Sequence, residues 1–275
     1  HYHRTVNQKP AVIFLHGIVE SGLCWERTVE ILHSDYEVYL PDARGHGLSD
    51  SPSMGYAPED HAEDVAALIL HFDLDKPVLI GHSMGANTAA VVCAQFPGLV
   101  GGLILEDPPW WNKPTIEVDE MRRIMAERIR ASVLKDYDNP LFEVITSIKE
   151  RYPRWHADDY LNWAIAKKQV SLDILSGFYA PRCPWQQIAS RIPCPTLLIT
   201  GDPHLGAIVT PEVASEALSL IPQATQFHIS GAGHNIRREK FETYTRAVQA
   251  FLSSVRWEHP SAFAAAAASR DELIQ

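Results

Sequence analysis

Short runs of apolar residues punctuate the chain: AVIFL at 11–15, EVYL at 37–40, PVLIG at 77–81, GGLILE at 101–106, PTLLIT at 195–200 and TQFHIS at 225–230. They are rich in β-branched residues, and most are flanked by Gly or Pro. Unbroken apolar runs are what the strands of a parallel sheet need, because helices cover both faces. Between them, apolar residues recur at helical spacing over 57–72, 84–96, 211–221 and 237–254. Strand and helix in alternation predict an α/β fold with a mostly parallel, doubly wound sheet.

One interval departs from that alternation. From Pro108 to Trp185 there is no strand candidate, and helical spacing at 117–135, 140–151, 157–169 and 171–178 is punctuated by Pro140, Pro153 and Pro181. This predicts an all-helical cap over 108–185, inserted between a first core part at 1–107 and a second at 186–255. The alternative is a plain helical extension of the core. The stretch 256–275 carries an alanine run and reads as a loose tail or an appended remnant. With His1 in first place, the expectation is a trimmed native start.

Composition narrows the partners. Apolar residues at 46% and charged residues at 21% fit an ordinary globular protein. The net charge of -10, with no Lys/Arg stripe, argues against nucleic acid. The cluster Arg122, Arg123, Arg128 and Arg130 alternates with acids and reads as a solvated helix face. Cys24, Cys93, Cys183 and Cys194 lack paired spacing, which suits reduced thiols in a cytoplasm, with Cys93 in the core. No apolar run approaches the roughly 20 residues that cross a bilayer, and the first thirty residues lack a signal-peptide layout. The expectation is a cytoplasmic protein, monomer or dimer, that acts on a small molecule without membrane or nucleic-acid partners. No metal cluster, phosphate loop or dinucleotide fingerprint occurs, so no cofactor is expected.

The candidate chemistry sits where a strand meets a helix. Residues 77–96 read as a buried strand, then Gly81-His82-Ser83-Met84-Gly85, then a helix. A nucleophilic Ser on so sharp a turn has strained dihedrals, and side chains two positions either side collide with neighbouring backbone. The turn lifts the hydroxyl clear of the sheet and aims the helix N-terminus at a developing oxyanion. His234, in Gly231-Ala232-Gly233-His234, follows the last apolar run by four residues. Its glycines let the loop return to the carboxyl edge of the sheet, which makes it the candidate base among thirteen histidines.

With Leu15-His16-Gly17 ending a strand and PDARGHGLSD at 41–50, these motifs resemble the α/β-hydrolase superfamily over about 1–105 and 193–255. The short YHRTV before residue 11 is similar to the end of a family strand. The resemblance implies an oxyanion hole made by the backbone N–H groups of Ile18 and Met84. Glu20 and Ser21 are then expected at the pocket mouth or on the loop surface, and His16, His46 and His82 in structural roles. The triad acid stays open. The family's usual place, three residues past Gly201, holds His204, while Asp202 stands one past it; Glu106-Asp107 follows another strand that carries the acid in some members. Strand alternation lets only one of Glu106 and Asp107 face the crevice.

These residues point to hydrolysis of a carboxylic ester or lactone through an acyl-enzyme on Ser83. Carbon-carbon hydrolysis and cofactor-free perhydrolysis use the same arrangement. A ligand receptor on the same scaffold is the reading from another class. Trp110, Trp111, Trp155 and Trp163 are candidate walls for a bulky apolar or aromatic substrate, or else packing residues of the cap.

Overall fold

The computed structural model describes residues 1–112, 115–255 and 257. Seven strands form one sheet: β1 (Tyr2–Arg4), β2 (Ala11–Leu15), β3 (Glu37–Pro41), β4 (Val78–His82), β5 (Gly102–Glu106), β6 (Thr196–Thr200) and β7 (Ala224–His228). Their order is β1-β3-β2-β4-β5-β6-β7, with β1 antiparallel to β3 and all other pairs parallel. The architecture is the α/β sheet that the alternation predicts.

Helices α1 (Glu26–Leu32), α2 (Pro58–His71), α3 (Met84–Gln95), α4 (Thr115–Asp138), α5 (Leu141–Arg151), α6 (Ala157–Gln169), α7 (Trp185–Ala189), α8 (Pro211–Leu220), α9 (Ile236–Glu239) and α10 (Phe241–Ser254) complete it. The predicted segment 237–254 is two helices, because Lys240 leaves helical dihedrals at φ −138° and ψ 51°. The seven-residue α1 carried too short a pattern to be read.

Strand pleat explains the unbroken apolar runs. Ile13, Leu15, Leu79, Leu103 and Leu105 pack into a cluster with Ala86, Ala89 and Val213 on one face. Val12, Phe14, Val78, Ile80 and Ile104 join Tyr244, Val248 and Leu252 on the other. Each such side chain contributes about 1.5–3 kcal/mol on burial. The helices between β5 and β6 pack in two further clusters. One joins Ala126, Val133 and Ile174 to Tyr56, with Ile18 packed against it; the other holds Val144, Ile148, Trp155, Tyr160 and Ala164. Trp257, inside the segment read as a tail, donates its indole N–H to Leu252 O and packs against Tyr36. The other residues of that tail lie outside the described ones.

Candidate active site

Ser83 sits between β4 and α3 with φ 51° and ψ −113°, a conformation few residues other than Gly adopt. Two glycines make the turn possible. A Cβ at Gly81 lands 2.3 Å from Gly85 O, and one at Gly85 lands 2.1 Å from Leu15 O, so any side chain at either position forces backbone apart. Val19 (φ 56°) and Asp107 (φ 45°) hold the same strained region. Strain of this kind persists only where surrounding structure overdetermines it, and it clusters at functional sites.

The carboxyl ends of β4, β5 and β7 bring the candidate residues to one edge. Asp107 is fully buried just past β5, where its N–H donates to Ile199 O at 3.0 Å. Its Oδ2 accepts a 2.6 Å bond from His234 Nδ1, and its carboxylate also takes the N–H groups of Ile208 and Val209. A proton held on Nδ1 leaves the lone pair of His234 Nε2 free. His82 packs against His234: its Nε2 donates to His234 O at 3.0 Å, and the two rings lie 4.7 Å apart.

Asp202 is elsewhere. Its Oδ1 accepts from His228 Nε2 at 3.0 Å and its Oδ2 from Gly231 N at 2.7 Å. The Gly231 bond first, then His228, holds its carboxyl below the usual range. Glu106 points to the opposite side of β5 from Asp107, onto the N–H and guanidinium of Arg237.

The loop after β2 corrects one expectation. Glu20 is not at a pocket mouth but 2% exposed, binding Gly17 N at 2.8 Å and the guanidinium groups of Arg237 and Arg238. Ser21 is buried beside it. Burial opposes the charge on Glu20, yet Arg237 and Arg238 outweigh it and hold the carboxyl well below the usual range. Nothing in the spacing of Glu20 and the Arg237-Arg238 pair announced this network, which spans 217 positions. Ile18, two residues before Glu20, and Met84, at the start of α3, have N–H groups with no protein acceptor among the described residues.

His16 shows its tautomer by its partners: Nε2 accepts from Ala43 N and Nδ1 donates to Gly17 O. Burial lowers the pKa of His16, His46 and His82, so these imidazoles stay neutral.

Of the four tryptophans, Trp111 lines a 620 Å³ cavity with Asn87, Arg122, Phe178, Arg182 and Trp185. The others take packing places instead. Trp110 is fully buried, stacks on Trp185 and donates to Asn87 Oδ1. Trp155 is buried against Tyr152. Trp163 donates to Val19 O at 3.0 Å, tying α6 to the loop that carries Ile18. A 50 Å³ cavity bounded by Ile18 and Met84 adjoins the β4–α3 turn. A larger one of 740 Å³ lies beyond Met84 against His1, Asp42 and α2; like the other two, it has neither Ser83 nor His234 on its walls.

The cluster read as a solvated helix face divides. Arg123, Arg128 and Arg130 are exposed, but Arg122 is only 6% exposed. It shares the buried stripe of α4 with Ala126, Ile129 and Val133, a helical spacing already present in the sequence. Among the described residues no cluster of His, Cys, Asp and Glu is arranged to hold a metal, and no helix is long and apolar enough to cross a membrane.

A family model described as alpha/beta hydrolase fold matches residues 10–240. Over 153 residues the chain is 33% identical to a 2-(acetamidomethylene)succinate hydrolase of Mesorhizobium japonicum, a match spanning 54% of this chain and about half (51%) of that protein. A putative esterase/lipase of Haemophilus influenzae is 29% identical over 91% of this chain and 85% of its own length. Among solved structures, a thermophilic esterase from Thermogutta terrifontis, with malate bound, matches with TM-score 0.72 and 26% identity, covering 92% of each chain.

Proposed function

Because this chain belongs to the α/β-hydrolase fold family, we propose that it is a serine hydrolase that cleaves a carboxylic ester or lactone through an acyl-enzyme on Ser83. The observation that carries the reading is that a strained Ser83 at the β4–α3 turn shares the carboxyl edge of the sheet with a His234 bonded through Nδ1 to Asp107.

In this mechanism His234 Nε2 takes the Ser83 proton as Oγ attacks the carbonyl carbon. The carbonyl pair of electrons moves onto oxygen, where the N–H groups of Ile18 and Met84 stabilise it; one such donor is worth about 3–4 kcal/mol in other hydrolases. Collapse expels the alcohol, which receives the proton from His234. Water, deprotonated by the same imidazole, then attacks the acyl-enzyme and releases the acid. Asp107 holds the tautomer and stabilises the imidazolium throughout. The helical segment over 108–185 acts as a cap that shapes the acyl pocket.

A second reading keeps the machinery and changes the bond. The 33% identical relative is named a hydrolase of a succinate derivative rather than an esterase, which favours testing bonds beyond esters, carbon-carbon bonds among them. A panel of 4-nitrophenyl esters, lactones and β-diketones separates the two. Turnover of esters or lactones that vanishes in Ser83→Ala supports the first reading. Turnover confined to diketones supports the second.

A further inference from the structure

Resting on Ser83 as the acyl acceptor, we propose that the substrates of this enzyme carry a carboxylate, received by Arg182 and Arg122 in the cavity between α4 and the segment from Phe178 to Trp185. That 620 Å³ cavity shares Asn87, Phe178 and Arg182 with the small cavity bounded by Ile18 and Met84. Arg182 therefore stands on the walls of both. The smaller cavity has Ile18 and Met84 on its walls, the larger has Arg122, and Arg182 stands between the two.

The donors of these arginines are incompletely used. Arg122 gives Nη1 to Asp119 at 3.0 Å and Nη2 to Ala180 O and Gly177 O at 2.9 and 3.4 Å, but its buried Nε has no partner among the described residues. Arg182 gives Nη2 to the same Gly177 O at 3.1 Å, and no carboxylate of the described residues stands within ion-pair distance of it. Sharing one carbonyl sets two like charges side by side. Arg182 is exposed as a residue, yet enough protein surrounds its head that desolvation, with the Arg122 charge behind it, lowers its pKa to about 10.

The wall also holds Glu59, Asp119 and Arg123, with Arg123 paired to Glu120. With Arg123 answered by Glu120 and Arg122 by Asp119, Arg182 is the arginine of this wall left without a carboxylate at ion-pair distance among the described residues. A carboxylate has the planar, two-oxygen shape that a guanidinium fork grips best. The aromatic faces of Trp111, Phe178 and Trp185 leave room for the carbon chain between carboxylate and scissile carbonyl.

The test compares 4-nitrophenyl hydrogen glutarate with neutral 4-nitrophenyl pentanoate. The expected result is a kcat/KM about tenfold to a hundredfold higher for the anionic ester, the range a charge-assisted hydrogen bond supplies. In Arg182→Gln that ratio falls toward one, mainly through KM, and a ratio is indifferent to the fraction of folded enzyme. Arg122→Lys, which keeps the charge and loses the fork, gives an intermediate ratio. A binding arm works without turnover: free glutarate slows fluorophosphonate labelling of Ser83 in the unaltered protein and not in Arg182→Gln. Preference for the neutral ester, a ratio unchanged in Arg182→Gln, or labelling indifferent to glutarate overturns the inference while leaving Ser83 as nucleophile. Failure of Ser83 to label at all overturns the underlying reading instead.

Discussion

His234 donates its Nδ1–H to Asp107 at 2.6 Å, whereas Asp202, the other acid within reach of the same edge, is taken up by His228 and Gly231. The two candidates therefore separate by experiment. Asp107→Asn removes the acceptor that fixes the tautomer, and kcat is expected to fall by about 10⁴, as in a serine protease altered the same way. Asp202→Asn is expected to keep kcat within a few-fold, because the Asp202 carboxylate binds His228 and Gly231 and makes no bond to His234. Steady-state kinetics of the two variants check this, and equal losses contradict the assignment of the acid.

The elbow makes a prediction about stability. In Gly85→Ala the new Cβ meets the backbone of Leu15 and His16, atoms that cannot rotate away. The expected loss is on the order of 3 kcal/mol, the upper part of the range for overpacked cores. Urea unfolding followed by circular dichroism measures it; an unchanged midpoint contradicts the close approach of α3 to β2.

Glu20 joins the loop after β2 to α9, the helix that follows His234. Glu20→Gln leaves Arg237 and Arg238 buried without their main counter-charge, and breaking a buried ion pair costs about 3–5 kcal/mol. Turnover should fall alongside stability, because Gly17 N loses its carboxylate partner next to Ile18. Denaturant midpoints and kcat measured on the same preparation test both halves of the claim.

Much of the site was legible in the sequence because its constraints are local. The GxSxG turn, the strand before it and the helix after it are contiguous, so the elbow at Ser83 could be read directly. The glycines before His234 carried the same kind of signal. The acid was not legible, because Asp107 and Asp202 each end a strand and only the path of the chain from Gly201 to Gly231 decides which one meets the imidazole. Glu20, Arg237 and Arg238 escaped for a related reason: a buried ion network joins residues far apart in sequence. Arg122 was hidden by its type, since an arginine on the apolar stripe of α4 looks like surface until the partner wall is present.

The buried histidines set an acid limit on stability. His61 is pushed down to about 4 by burial and then by Arg44, and burial also lowers His16, His46 and His82. The folded protein then holds these rings neutral while the unfolded chain protonates them below about pH 6.5. Stability is full above that pH and is lost as pH falls toward 4, by up to about 1.4 kcal/mol per pH unit for each proton. Tm measured from pH 7.5 to 5 should drop, and His61→Gln should flatten the slope. A Tm constant over that range contradicts the buried neutral state.

The proposed hydrolysis depends on Ser83 forming a covalent bond. Intact-protein mass spectrometry after brief exposure to a fluorophosphonate, followed by peptide mapping, reads that bond directly. The predicted result is one adduct per chain, on the peptide containing Ser83, absent in Ser83→Ala and slowed by at least about 10³-fold in His234→Ala. An unlabelled Ser83 in protein that turns over substrate, or equal labelling of Ser83→Ala, contradicts it.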